Sequence, residues 1–331
     1  MNKEFLKDTV SRLLAKPKGI LAIDESLATC NKRFEKLGVP TTIEKRQEYR
    51  ELLITTPEIE KYISGYIFFD ETIRQATKDG KDFSEVLRSK NIDVGIKVDT
   101  GTKDFNPEGE KITEGLDGLR ERLKEYREKG ATFAKWRGVY SISDKTPTEE
   151  CIRANAVAFA KYALASQEQD IVPIVEPEVL LDGDHSIEKC YDITAHNLDV
   201  VFQELKSNNV YLPGVILKTS MVISGKDAKV KSTTEEVAKM TLKCLDEHTP
   251  SDLGGIVFLS GGQLDEEATI NLNKMHEMGG LSKPLTFSYG RAIQNGALKA
   301  WAENPSLIAS AQRFLLDAAN RNSLASIGKY K

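Results

Sequence analysis

Short runs of β-branched and apolar residues recur along the chain, each followed by a stretch long enough for a crossover helix. They predict strands over 19–24 (GILAID), 63–71 (ISGYIFFDE), 93–99 (DVGIKVD) and 132–140 (TFAKWRGVY). The series continues at 170–180 (DIVPIVEPEVL), 214–222 (GVILKTSMV), 254–262 (GGIVFLSGG) and 284–290 (PLTFSYG). Between several of them the apolar spacing changes to that of an amphipathic helix, as over 151–169 and 190–208, where Ile193, Leu198, Val201 and Leu205 fall near one face. Strands alternating with helices imply a parallel sheet with right-handed crossovers.

Eight such units predict an α/β chain closed into a (β/α)8, or TIM, barrel, whose body typically takes about 250 residues. The 331 residues then read as one barrel domain over 1–331, with its body at about 19–291. The surplus forms an N-terminal helix at about 3–16 and C-terminal helices at about 292–327. An open doubly wound sheet gives a similar alternation, so strand count alone leaves closure undecided.

Polar residues recur where the apolar runs end: Asp24, Glu71, Lys97, Lys135, Arg137, Glu176, Glu178, Lys218, Ser260 and Arg291. In an eight-fold barrel those C-terminal ends form the face where active sites sit. Side chains at i and i+2 share a side of a strand, so Lys135 pairs in direction with Arg137, and Glu176 with Glu178. Lys218 ends a run that could cross the middle of a sheet, yet lysine is almost never fully buried without a partner. A lone lysine at a strand end is more often solvated than catalytic. Carboxylates and a second lysine on neighbouring strands reverse that reading. Glu71 reads as the start of a helix, because "DET" suits a first turn.

The last two runs close on "SGGQ" (260–263) and "SYGR" (288–291). Those are positions where barrels frequently hold phosphate. Glycine lets backbone N–H groups approach an anion, serine adds a donor, and arginine grips phosphate bidentately. Glycine after a strand is usually just a turn, so the two motifs carry weight only together. Lys97 and Ser26 are placed to serve a second anion across the mouth.

Composition narrows the classes. Hydrophobic residues make up 40% and charged residues 29%, an ordinary globular balance. A formal charge of −4 gives no reason to expect nucleic acid or an anionic membrane surface. No apolar run approaches a membrane span, and the mixed-charge start does not read as a leader. Cys30, Cys151, Cys190 and Cys244 are far apart, which predicts unpaired buried thiols in a reducing cytoplasm. There is no G-x-x-x-x-G-K-[ST] loop, no G-x-G-x-x-G after a strand and no G-x-S-x-G elbow. The four histidines show no metal-ligand spacing. His185, in "DGDH", reads as an exposed loop residue, and no metal or cofactor is expected.

A lysine desolvated beside another cation has a lowered pKa and attacks carbonyls to form a Schiff base. The imine stabilises a carbanion equivalent as an enamine, so an adjacent carbon–carbon bond can break or form. A carboxylate must then move the protons. Two phosphate grips across one mouth suit a substrate phosphorylated at both ends.

The motifs "GILAIDES", "GIKVD", "FAKWR", "IVPIVEPE", "LLDGDH", "FLSGGQ", "INLN", "LTFSYGRA" and "NSLASIGKY" together resemble the class I fructose-1,6-bisphosphate aldolases, in family order over nearly the whole chain. The resemblance implies that Lys218 is the Schiff-base lysine and Glu176 the general acid/base. It implies that Asp24 orients substrate hydroxyls, Lys135 supports imine formation and Glu178 is a supporting carboxylate. By the same resemblance Ser26, Thr29, Arg33, Arg46, Lys97 and Arg137 contact substrate. Ser260, Gly261, Gly262, Ser288, Gly290 and Arg291 match the ketose-phosphate grip.

Departures from the family pattern accompany the match. L-K-P-N-M-V becomes "LKTSMV", with Thr219 and Ser220 in place of proline and asparagine. The first loop reads "DESLATC", where Leu27 replaces a hydroxyl residue and Thr29 keeps one. The tyrosine-ended tail of the eukaryotic enzymes has no counterpart, so proton exchange at the enamine is expected to use another route. The implied reaction is reversible cleavage of fructose 1,6-bisphosphate into dihydroxyacetone phosphate and glyceraldehyde 3-phosphate. A preference for fructose 1-phosphate or another ketose phosphate stays open, as does a non-catalytic scaffold. A cytoplasmic homotetramer follows from the resemblance alone.

Overall fold

The computed structural model describes residues 1–331. Its strands are β1 (Gly19–Ala22), β2 (Ile63–Phe68), β3 (Asp93–Lys97), β4 (Gly101–Asp104), β5 (Lys111–Glu114), β6 (Ala131–Tyr140), β7 (Val172–Val179), β8 (Ile216–Thr219), β9 (Gly255–Phe258) and β10 (Leu285–Tyr289). Eight of them close a parallel barrel in the order β1-β2-β3-β6-β7-β8-β9-β10. The last pairing, Ile20 with Ser288 and Leu21 with Tyr289, joins the two ends of the sheet. It decides for the barrel over the open sheet.

All eight predicted runs enter the barrel, with trimmed ends. The run over 214–222 contributes only Ile216–Thr219, because Leu212–Gly214 forms a 3-10 turn around Pro213. The run over 63–71 stops at Phe68, and Asp70–Ile73 begins a helical turn with Glu71 in it, as its sequence predicts. The first helix, α1, covers Lys3–Leu13 rather than 3–16. Pro17 lacks an N–H and restricts the residue before it, which ends the helix early. The C-terminal helices are Arg291–Glu303 and Ile308–Ala325, parted at Asn304 and Pro305.

Two further differences have plain causes. The antiparallel hairpin β4–β5 has no apolar run, since most of its residues are exposed or half-buried. His185 is buried, at 8% exposure, not an exposed loop residue. The segment after β8 folds back over its loop, with the Gly225 N–H donating to the His185 carbonyl at 2.9 Å and that of Lys226 to the Leu181 carbonyl at 2.8 Å. Burial lowers the His185 pKa, so its ring stays neutral. The four cysteines are buried and free.

Strand alternation explains how the barrel carries a polar site on an apolar base. The inward residues change character along each strand: Phe133 then Lys135, Ile174 then Glu176, Ile216 then Lys218, Ile20 and Ala22 then Asp24. The lower set joins Leu6, Val10, Leu13 and Leu14 of α1 in one buried cluster, so α1 plugs the N-terminal end. Outward residues such as Leu21, Phe68, Trp136 and Leu217 join the larger core between sheet and helices. The interior is tight. A Cβ on Gly95 would meet the Phe133 ring at 2.2 Å, and one on Gly255 would meet Leu14 at 2.3 Å.

Candidate active site

The C-terminal mouth opens into a cavity of about 620 Å3. Register sets its floor. Lys97 lies beside Lys135, and Arg137 beside Glu176, in neighbouring parallel strands. The side chains then form a charged chain. Lys135 Nζ lies 2.8 Å from Asp24 Oδ2 and 3.2 Å from Glu176 Oε2, while Lys218 Nζ lies 3.2 Å from Glu176 Oε1. The contacts to Glu176 are ion pairs by distance; Oε2 has no partner in hydrogen-bond geometry. Lys135 and Lys218 each keep 4% of their exposure and Glu176 keeps 3%. Amines that dry are held only because opposite charges adjoin them.

Burial by itself would raise the pKa of both carboxyls. The Lys135 and Lys218 ammoniums outweigh it, and Asp24 falls to about 2 with help from Lys97. Glu176 is lowered by the same two ammoniums and by Arg137. Lys135 is opposed by burial too, yet Asp24 and Glu176 raise it. Near neutral pH the free site therefore holds Asp24 and Glu176 as anions around a fixed Lys135 cation.

Three cations of the cavity wall expected to contact substrate already have carboxylate partners. Arg33 pairs with Glu25, Lys97 with Asp99, and Arg137 with Glu178. Ser26 caps helix α2 (Leu27–Glu35), its oxygen accepting from the Thr29 N–H at 3.3 Å, and both hydroxyls line the cavity. Ser260, Gly261, Ser288, Gly290 and Arg291 line the opposite side. Gly262 follows in the left-handed region at φ 88° but is not part of the wall. Arg46 is turned away: Glu71 takes it at 2.8 and 2.7 Å, and Asn31 and the Thr41 carbonyl at 3.1 Å. It ties α3 (Ile43–Thr55) to the turn after β2.

The structure adds residues that the sequence did not single out. Lys32, one turn beyond Thr29 on α2, and Lys36, the residue that caps its C-terminus, line the cavity four apart. That i, i+4 spacing after the Ser26 cap was a usable signal. Asp99 follows Lys97 at i+2, which strand alternation could also have flagged. In all, eight cationic and five anionic side chains line the cavity, an excess of three positive charges in a chain of net charge −4. Lys32, Lys36 and Arg291 are the cations without carboxylate partners, and they supply that excess. Ser220, one of the departures, donates to the Val179 carbonyl at 2.8 Å. It thereby fastens the end of the Lys218 strand to the end of the Glu176 strand.

The arrangement offers a lysine amine for carbonyl addition, a carboxylate bridging two ammoniums for proton transfer, and free cations at the rim for anions. A family model described as glycolytic class-I fructose-bisphosphate aldolase matches residues 5–331. The chain is 52% identical to a probable class 1 fructose-bisphosphate aldolase of Xanthomonas campestris pv. campestris, over the full length of both chains. It is 45% identical to fructose-bisphosphate aldolase C-B of Danio rerio, covering 99% of this chain and 91% of that one. Its fold superposes on a solved structure of fructose-bisphosphate aldolase from Plasmodium falciparum with a TM-score of 0.97. The identity there is 45%, covering 99% of this chain and 95% of the other. By sequence along nearly its whole length, and by fold, the chain belongs to the class I fructose-bisphosphate aldolase family.

Proposed function

We propose that the chain is a fructose-bisphosphate aldolase working through an imine on Lys218, within a single barrel domain. The observation that carries this reading is the buried chain Asp24–Lys135–Glu176–Lys218. Addition of the Lys218 amine to the C2 carbonyl needs its proton removed, and the Glu176 carboxylate lies 3.2 Å away to take it. The added nitrogen passes a second proton to the developing alkoxide, and Glu176 returns its own to the resulting hydroxyl, which leaves as water and gives the protonated imine. The Glu176 carboxylate, freed of its proton by that step, takes the C4 hydroxyl proton, and the C3–C4 bond breaks to release glyceraldehyde 3-phosphate. The electron pair stays on C3 as the enamine. Asp24, ionised beside Lys135, orients that hydroxyl. Protonation at C3 and hydrolysis by water free dihydroxyacetone phosphate and restore the amine. Glu178 and Arg137 pair at the rim, and Arg291 with Ser260, Gly261, Ser288 and Gly290 forms the grip for one phosphate. Ser26, Thr29, Arg33 and Lys97 serve the other.

Borohydride reduction in the presence of dihydroxyacetone phosphate, followed by peptide mass mapping, tests the imine directly. A stable adduct on Lys218 is expected, with cleavage unaffected by EDTA. No adduct, or one on another lysine, defeats the mechanism.

The rim charges favour the bisphosphate over fructose 1-phosphate. Lys32 and Lys36 stand unpaired on the wall that carries Ser26 and Thr29. Lys36→Ala is expected to raise KM for the bisphosphate about two- to fivefold, the scale of one exposed charge pair. Fructose 1-phosphate should be indifferent, and added salt should shrink the difference. Equal effects on both substrates would remove Lys36 from the discrimination.

A further inference from the structure

Asp24 lies in the stretch Ile23–Ser26, which is neither strand nor helix. Sheet pairing therefore fixes it only up to Ile23, whose N–H donates to the Ile67 carbonyl at 3.0 Å. Something else has to hold the aspartate against Lys135. Gln294, in the Arg291–Glu303 helix, is fully buried, and its amide joins three separate segments. Nε2 donates to the Ala22 carbonyl at 2.6 Å. Oε1 accepts from Arg33 Nη1 at 3.0 Å and from the Tyr49 hydroxyl at 2.9 Å.

These partners fix the amide's orientation. A guanidinium only donates and a carbonyl only accepts, so the flipped amide would face like against like. The links also close a ring. Ala22 leads through Ile23 and Asp24 to Glu25, Glu25 pairs with Arg33 and with Arg50, and Arg33 returns to Gln294. The helix carrying Gln294 starts at Arg291 and leaves Gly290, whose carbonyl accepts the Gln294 N–H at 3.0 Å. One side chain thus connects the Asp24 loop, the Arg33 helix and the grip around Arg291.

We infer that Gln294 is a positioning residue: it sets the Asp24 loop and Arg33 relative to the Arg291 helix, and so serves bond cleavage rather than imine formation. This rests on the proposed roles of Lys218 and Asp24. Dihydroxyacetone phosphate has no fourth carbon, so its trapping on Lys218 does not report on Asp24. Bisphosphate cleavage does.

In Gln294→Met, borohydride trapping should proceed within about twofold of the unchanged protein, while kcat for cleavage falls roughly a hundredfold, the scale of an ångström-sized misplacement. In an Asp24→Asn background the same substitution should cost no more than about threefold, because both act through one group. A lower melting temperature with unchanged kcat would make Gln294 merely structural. Parallel loss of trapping and cleavage, or a full hundredfold loss added to Asp24→Asn, would equally overturn the inference. Should the methionine variant not fold, Gln294→Glu keeps both acceptor contacts and, ionised beside Arg33, sets a carboxylate oxygen against the Ala22 carbonyl where the N–H donor was. It should show the same split, and an unaltered cleavage rate there would refute the role. If the unchanged protein itself gives no Lys218 adduct, it is the imine reading that fails.

Discussion

Lys218→Ala is expected to lower kcat/KM for fructose 1,6-bisphosphate on the order of 10⁴-fold or more, since loss of a covalent nucleophile removes a whole reaction path. The same variant should give no borohydride adduct with dihydroxyacetone phosphate. Its fold should survive. Glu176 keeps Lys135 at 3.2 Å when Lys218 is gone, so no carboxylate is stranded without a cation. The cavity already opens to solvent at the mouth and can take up water where the ammonium was. Circular dichroism matching the unchanged protein would separate chemical from structural loss. Retention of more than a few per cent of the activity, or trapping on Lys135 instead, would refute Lys218 as the nucleophile. Lys135 is the meaningful competitor, because it is equally buried and also touches Glu176. The geometry separates them. Lys135 is engaged by two carboxylates and its pKa is raised, so it is the poorer source of a free amine.

Much of this arrangement was legible in the sequence because strand periodicity is rigid. Once Ile216 faces inward, Lys218 must too, and the same rule carries Ile174 to Glu176 and Phe133 to Lys135. The eight apolar runs likewise had to pair, although only the register of β1 with β10 decides closure. Local sequence is blind to which partner a cation takes. Arg46 and Arg33 both look like anion ligands in one dimension. In the fold Glu71 claims the first and turns it from the mouth, while Glu25 and Gln294 share the second. Those partners lie 25, 8 and 261 residues away, too far for helix or strand spacing to report. The burial of His185 escapes local sequence for the same reason. Its burial comes from the segment after β8 closing over it, a contact made only when two strands already neighbour each other. Lys32 and Lys36 differ, since their helical spacing was visible and only the direction of the helix was not.

Lys135→Met should reverse the pH dependence of stability in the acid-to-neutral range. In the unchanged protein Asp24 has a folded pKa of about 2, below the unfolded value of about 3.9. Its contribution is fully present above about pH 4 and is lost as pH falls toward 2. The lowered Glu176 carboxyl acts in the same direction. Lys135, whose pKa is raised, contributes below its unfolded value of about 10.4 and loses that only in strong alkali. Removing the ammonium takes away the ion-pair partner of Asp24, while Glu176 keeps Lys218 at 3.2 Å. Burial, the largest influence on Asp24, is then expected to prevail and to raise its folded pKa above the unfolded one. The folded state now binds more protons than the unfolded state, so stability must fall as pH rises. A loss of about 3–5 kcal/mol is expected at pH 7, the scale for breaking a buried pair by removing one partner, and a smaller loss at pH 5. Urea unfolding at the two pH values measures both terms. Equal losses at pH 5 and pH 7 would mean that Asp24 remains ionised and that Lys135 is not what holds it so.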